Sequence, residues 1–199
     1  MKPKTSLSRV FVIAALVFMS VAAVAAAQPS SEDARTNDDI RRALLRLPYY
    51  GVFDYLTFQY DRGTVTLSGY AYRATVKNDA VKAVKRVSRV DQVVDQIELL
   101  PVTQNDDRIR WSTFYRIYGD AFLSRYAPGG GLAGRRFYGP RYPGAEPFGY
   151  YPIHIVVQRG RTMLLGVVDS ESDRTAAGFR AREVPLTFGV ENELLVARR

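Results

Sequence analysis

Arg62-Gly63-Thr64-Val65-Thr66-Leu67-Ser68-Gly69 and Arg159-Gly160-Arg161-Thr162-Met163-Leu164-Leu165-Gly166 both read Arg-Gly-x-x-x-Leu-x-Gly, 97 residues apart. The offset holds without a gap from Arg62–Leu99 to Arg159–Val196, so that Ala80 meets Ala177, Val87 meets Val184 and Val93 meets Val190. Both copies finish on the pattern Val-x-(Asp/Asn)-x-(Ile/Leu)-x-(Leu/Val). Their starts also agree, Asn37-Asp38-Asp39 with Asn105-Asp106-Asp107, but at an offset of 68, so the second copy carries about 29 extra residues in its first half. A repeat of this kind means that one small unit was duplicated, and function is to be sought in the unit and in how its copies differ.

Around the quoted stretch the hydrophobic period changes. Leu56, Phe58 and Tyr60 alternate with Thr57 and Gln59; Asp61-Arg62-Gly63 makes a turn; Val65, Leu67 and Gly69 then alternate with Thr64, Thr66 and Ser68, which predicts a β-hairpin. From Ala74 to Val90 the spacing is helical, with Val76, Ala80, Ala83 or Val84, and Val87 inward and Lys77, Lys82, Lys85, Arg86 and Arg89 elsewhere. Asp91–Leu100 alternates again as a third strand. Upstream, Asp38 and Asp39 precede Ile40–Leu47, a helix-start signal, and Pro48 ends that helix. The order α-β-β-α-β predicts an α+β unit, a three-stranded mixed sheet with two helices on one face, its second and third strands parallel.

The second copy repeats the order. A helix runs from Asp106 to about Tyr126, strands cover Ile153–Val157 and Met163–Asp169, Ser170 or Ser172 caps a further helix, and Phe188–Ala197 is the last strand. Between the helix and the first strand lies a loop over 127–152, rich in Gly, Pro, Arg and Tyr. A loop of that length is functional or disordered. Gly63 and Gly160 read as turn residues at positive φ, and Gly69 and Gly166 as places of close packing.

The N-terminus has basic Lys2, Lys4 and Arg9, an apolar run from Val10, and Ala25-Ala26-Ala27. That is the pattern of a signal peptide over 1–27; an uncleaved anchor is the rival reading. Residues 28–36 read as a disordered Ser-rich leader, 37–102 as the first unit and 103–199 as the second. Loss of three basic residues takes the net charge from +8 to about +5. The chain has no cysteine, so it has neither disulfides nor lipoprotein processing, and each small unit must rely on apolar packing, in part against the other. Export places the protein in the periplasm and argues against nucleic acid as its partner.

Taken together, the two Arg-Gly-x3-Leu-x-Gly hairpins, Pro152-Ile153-His154-Ile155 entering one of them, Val184-Pro185 and the terminal strand pattern resemble the BON-domain family, named for bacterial osmotically inducible and nodulation proteins. The resemblance covers Asn37–Arg199. It departs at Gln92-Val93, where the second copy has the usual Gly189-Val190, and in the long loop. What it implies is non-enzymatic phospholipid binding in envelope maintenance or osmotic stress, without cofactors.

The residues themselves offer catalysis little. His154 is the sole histidine, has no cysteine to pair with, and on strand alternation faces away from Ile153 and Ile155, so a structural or solvent-facing ring is expected. Asp169 with Glu171 sits at a strand-to-helix turn where capping is the ordinary role, and no loop has calcium-ligand spacing. Asn105-Asp106-Asp107 reads as a helix start. The segment richest in binding chemistry is the helix Trp111, Phe114, Tyr115, Tyr118, Phe122 with its flanking arginines. Trp and Tyr favour the water–acyl boundary and arginine binds phosphate. Expected lipid-binding residues are Arg110, Trp111, Tyr115, Arg116 and Tyr118, with Arg135, Arg136 and Tyr138 from the loop, meeting an anionic phospholipid surface. The alternative is a module that binds an envelope protein or the cell wall.

Overall fold

The structure is a computed structural model that describes residues 31–128 and 147–198. The expected signal peptide and most of the 127–152 loop lie outside those residues. In chain order the elements are α1 (Ser31–Leu45), β1 (Tyr55–Asp61), β2 (Thr64–Ala71), α2 (Ala74–Val84), β3 (Gln92–Leu99), α3 (Gln104–Tyr118), a 3-10 turn (Leu123–Tyr126), β4 (Ile153–Gln158), β5 (Arg161–Val168), α4 (Glu171–Arg182), β6 (Gly189–Asn192) and β7 (Leu195–Val196). The α-β-β-α-β order is present twice.

Each hairpin closes through the two residues that the repeat marks. Arg62 and Gly63 have φ of 43° and 87°, Arg159 and Gly160 of 51° and 76°; positive φ at both positions is the tight turn whose twist matches that of the flanking strands. β1 pairs antiparallel with β2, and β2 pairs parallel with β3, Val65 opposite Val93. In the second unit β4 pairs antiparallel with β5, which pairs parallel with β6 and then β7. β6 and β7 are one strand interrupted at Glu193-Leu194. Register is kept across the break, since Leu164 meets Asn192 and Val167 meets Leu195.

α1 and α2 cover one face of the first sheet, burying Ile40, Leu44, Val76, Ala80 and Val84 against Val65, Leu67, Ala71 and Ile97. α3 and α4 do the same in the second, with Ile109, Phe114, Ile117, Ala177 and Ala181 on Ile153, Ile155, Val157, Leu164 and Val168. The opposite faces of the two sheets meet. Val156 and Leu165 of the second are buried with Leu100, and Tyr55, Tyr70, Tyr72 and Met163 pack around them.

Three sequence expectations change, the first being the helix expected over 74–90, which ends at Val84. Residues 31–36 are not a disordered leader but the first turns of α1. Glu32 and Asp33 suit the helix dipole, Thr36 is buried, and Glu32 pairs with Arg89 at 2.8 Å. Asp38 and Asp39 therefore sit within the helix, paired with Arg41 and Arg42 one turn on. The third helix stops at Tyr118 rather than running to Tyr126, because Asp120 accepts hydrogen bonds from the Phe122 and Leu123 N–H groups and re-forms the chain as a 3-10 turn.

Gly69 and Gly166 have φ of 109° and 121°, and a Cβ at either would overlap the carbonyl oxygen of Tyr55 or Pro152 on the neighbouring strand. Gly69→Ala and Gly166→Ala should each cost more than about 2 kcal/mol in denaturant melts, from combined backbone strain and steric overlap. Gly149→Ala, at φ 114° with nothing within 4 Å of the new methyl, should cost only about 1 kcal/mol.

Candidate functional site

α3 is the element in which the copies differ most. Its N-cap is Thr103, whose hydroxyl accepts from the Asp106 N–H at 3.1 Å. Asp106 is thus not the cap that its position implied. Its buried carboxylate accepts the N–H groups of Arg159 and Gly160 at 3.1 and 2.7 Å, fastening the helix to the β4–β5 turn. Asp107 accepts from the Tyr72 hydroxyl at 3.2 Å and pairs with Arg110 at 2.6 Å.

The expected site residues separate by burial. Arg110 is 1% exposed. Its guanidinium donates to the carbonyls of Pro101 and Val157 at 3.0 and 2.6 Å and lies 4.9 Å from the centre of the Tyr72 ring. Tyr118 is fully buried, donating to the Ile153 carbonyl at 2.6 Å, and burial raises its phenol well above the ordinary range. Neither side chain reaches the surface; Tyr118 belongs to the second unit's core and Arg110 to the junction between the units. Trp111 is half-buried, edge-on to Phe53 of the first unit at 5.4 Å and stacked on Tyr115 at 5.9 Å. Tyr115 and Arg116 are exposed. Arg135, Arg136 and Tyr138 lie outside the described residues.

What remains at the surface forms one face. Beyond Tyr115, the 3-10 turn presents Phe122, 75% exposed, and α4 presents Phe179, 57% exposed. Phe122 and Phe179 border a shallow groove of about 550 Å³ with Thr175, Ala176, Asp120 and Arg180. A second hollow, with Tyr115, Arg116 and Glu183 on its walls, shares Phe122 and Arg180 with it. The arginines here are already paired, Arg116 with Glu183 at 3.0 Å and Arg180 with Asp120 at 2.8 Å. Burial works against the Asp120 charge, but the Phe122 N–H, Arg180 and the Leu123 N–H hold its carboxyl below the usual range.

Phe179 was not among the sequence candidates, although the sequence held its signal. Asp173, Ala177 and Ala181 recur every four residues as the buried stripe of α4. A phenylalanine two residues off that stripe has to face outward.

Of the basic residues expected on the second helix, three are engaged inside the first unit, while Lys85 and Arg86 are exposed just beyond the end of α2. Lys77 donates to the Ile97 carbonyl and pairs with Asp95, Lys82 pairs with Asp79, and Arg89 binds Glu32. Among the described residues no group of three or more His, Asp or Glu side chains is placed to hold a metal, and no helix is long and apolar enough to cross a membrane. His154 is buried between Tyr50 and Tyr55, ring centres 5.7 and 5.4 Å away. It faces away from Ile153 and Ile155, as alternation requires, yet it meets the first unit rather than solvent. Desolvation pushes its imidazole down to about 4, against the opposing influence of the Asp54 and Gly51 backbone.

The BON domain pattern matches residues 32–101 and 144–198, more than half of the sequence and both repeats. None of the curated proteins compared matches the chain. Among solved structures it is similar to the C-terminal domain of CdsD, the structural protein of the type III secretion system of Chlamydia trachomatis, at 13% identity over 81% of this chain and 96% of that one, with a TM-score of 0.26. A second CdsD structure gives 13% identity, 82% and 92% coverage and a TM-score of 0.26. Likeness at that TM-score supports no functional argument.

The buried imidazole gives a signed pH dependence. The folded state holds His154 neutral down to about 4, whereas the unfolded chain protonates near 6.5. Its contribution is therefore complete above about pH 6.5, falls as pH drops to about 4 and levels off below, a loss of roughly 3 kcal/mol. Urea melts across that window should show the decline, and His154→Phe should flatten it. An equal slope in the variant would place the titration elsewhere.

Proposed function

Given that the chain belongs to the BON-domain family, with the domain present twice in tandem, we propose that it is a non-enzymatic envelope protein that binds anionic phospholipid peripherally through its second unit. BON domains are binding domains of envelope and osmotic-stress proteins, and the family carries no catalytic set for these residues to match. The observation that supports the reading is the face of Tyr115, Phe122 and Phe179, exposed aromatics on three different elements with Arg116 and Arg180 between them. Exposed aromatic side chains at one surface are costly to leave in water and gain free energy at an acyl boundary, about 1.5–3 kcal/mol for each phenylalanine fully buried. A phosphate approaching this face would have to compete with Glu183 and Asp120 for the arginines, so apolar contact contributes most and affinity is modest. Salt lowers binding in part, by screening the attraction between a net positive protein and an anionic surface.

Co-sedimentation of the protein with phosphatidylglycerol vesicles, compared with neutral phosphatidylcholine vesicles at low and high salt, tests the reading. Enrichment on the anionic vesicles, reduced but not abolished by salt, is expected; no enrichment over neutral vesicles would overturn it. Phe122→Ser with Phe179→Ser should weaken binding at least tenfold, the order of one lost phenylalanine insertion, with unchanged circular dichroism because both rings are exposed.

Trp111 is the contrasting position. Trp111→Ala removes its contacts with Phe53 and Phe114 and should lower stability by about 2–4 kcal/mol in denaturant melts. Glu183→Gln should act oppositely on function, releasing Arg116 for phosphate and raising binding to phosphatidylglycerol vesicles several-fold.

A further inference from the structure

A sheet edge presents unpaired N–H and C=O groups, and proteins guard their edges against further pairing. Three of the four edges here are guarded. On β3, Lys77 donates to the Ile97 carbonyl at 2.5 Å, and Asp95 and Glu98 add charge at the surface. On β4, the Ile155 N–H is taken by the Val52 carbonyl at 2.8 Å, and the Val157 carbonyl by Arg110. The last edge is broken into β6 and β7, and the Asn192 side chain there is bonded to the Arg174 carbonyl at 2.7 Å.

β1 is guarded only at one end, at Leu56. The residues flanking a two-residue hairpin turn exchange both backbone hydrogen bonds, so Asp61, Gln59, Thr57 and Tyr55 point toward β2. Leu56, Phe58 and Tyr60 therefore direct their N–H and C=O groups outward, in the same phase as Ile155 one repeat later. Tyr50 reaches the backbone of Leu56. Among the described residues nothing takes the outward backbone groups of Phe58 and Tyr60. The strand reads Tyr-Leu-Thr-Phe-Gln-Tyr-Asp, with no Lys, Arg, Pro or Gly and one charge at its end. Alongside it, between α1 and β1, runs a groove of about 460 Å³ with Leu44, Leu45, Leu56 and Phe58 on its walls, and Leu45 is 49% exposed.

We propose that β1 pairs with β1 of a second copy of this chain, antiparallel about Phe58, to make one six-stranded sheet across a two-fold axis. The strand is complementary to itself in that register. Phe58 meets Phe58, Leu56 meets Tyr60 and Thr57 meets Gln59, so apolar positions face apolar, neutral polar face neutral polar, and no like charges are opposed. An axis perpendicular to the sheet keeps all four helices of the two first units on one side. The two α1–β1 grooves then face each other, and the exposed Leu45 of each copy is covered. Arg41 at the rim is already paired with Asp38, so the approach of two copies brings no unpaired cation together there. An extended peptide of another protein would use the same backbone groups; it is the competing occupant that the test separates.

Sedimentation velocity of the purified protein from about 1 to about 200 µM should show a dimer that grows by mass action. Thr57 and Gln59 are exposed, so T57K/Q59K should leave circular dichroism and the melting temperature unchanged while opposing ammonium groups across the axis, weakening the dimer at least tenfold. Because the chain has no cysteine, T57C/Q59C introduces the only thiols, and mild oxidation should yield a disulfide-linked dimer. A wild-type protein that stays monomeric throughout overturns the proposal, whether or not it captures peptides. So does a dimer that is equally strong in T57K/Q59K. Neither result depends on vesicle binding.

Discussion

A three-stranded sheet covered by helices on one side leaves its other side to water, and the organisation of this protein follows from how that second side is closed. The two units close it with each other. Tyr55 and Tyr70 are register partners on the uncovered face of the first sheet; His154 and Leu165 are register partners on the uncovered face of the second. The faces meet around Leu100, Val156 and Leu165, and the segment before β1 adds backbone pairing, with Val52 and Gly51 bonded along the chain that enters β4. Units this small bury too little surface to be robust alone. The interface therefore acts as a third core and fixes the environment of His154, which would have been solvent-facing on an isolated sheet.

Much of this architecture was legible in the sequence because the relevant signals are local. The Arg-Gly turn needs positive φ, Gly69 and Gly166 need space beside a neighbouring carbonyl, and Val76, Ala80 and Val84 fall on one helical stripe. These are properties of a few neighbouring residues, and the repeat stated them twice. The start of α1 was not legible because Glu32 finds its partner, Arg89, 57 positions away, and a Ser-rich polar run carries no trace of that contact. The early end of α3 rests on a local contact, Asp120 with the N–H groups of Phe122 and Leu123, which the helical spacing of the aromatics on either side masked. Burial of the His154 ring was likewise invisible. Alternation gives the direction in which a strand residue points, but not what stands there.

Differences between the copies are most informative where the scaffold is the same. In both units the residue before the last strand donates its N–H to the turn glycine's carbonyl, Asp91 to Gly63 and Phe188 to Gly160, each at 2.8 Å. The side chains differ, a carboxylate over one turn and a phenyl ring over the other. The acids that open the first helices differ as well: Glu32 of α1 pairs with Arg89 at the surface, whereas Asp106 of α3 is buried and holds the β4–β5 turn. The second copy uses a buried acid as a clamp between its first helix and its hairpin. That leaves α3 firmly seated, with its outer residue Tyr115 free to join Phe122 and Phe179 at the surface.

Arg110 shows why residue type alone misplaced part of the candidate site. An arginine in an aromatic stripe reads as a phosphate ligand beside interfacial rings, and Arg116 further along the same helix does lie at the surface. Removing a guanidinium from water costs several kcal/mol unless its donors are met. For Arg110 the terminal nitrogens are met by Asp107 and by the carbonyls of Pro101 and Val157, the guanidinium lies against the ring of Tyr72, and only Nε is buried without a partner. Those partners come from α3, the linker between the units, the edge of β4 and the first unit. A single buried cation thus ties the two copies together, a use that requires arginine's planar fork of several donors, since a lysine could not span the same set. The chemistry that made the residue look like a ligand site, several directed donors on one cation, is the chemistry that an interface between two small units requires.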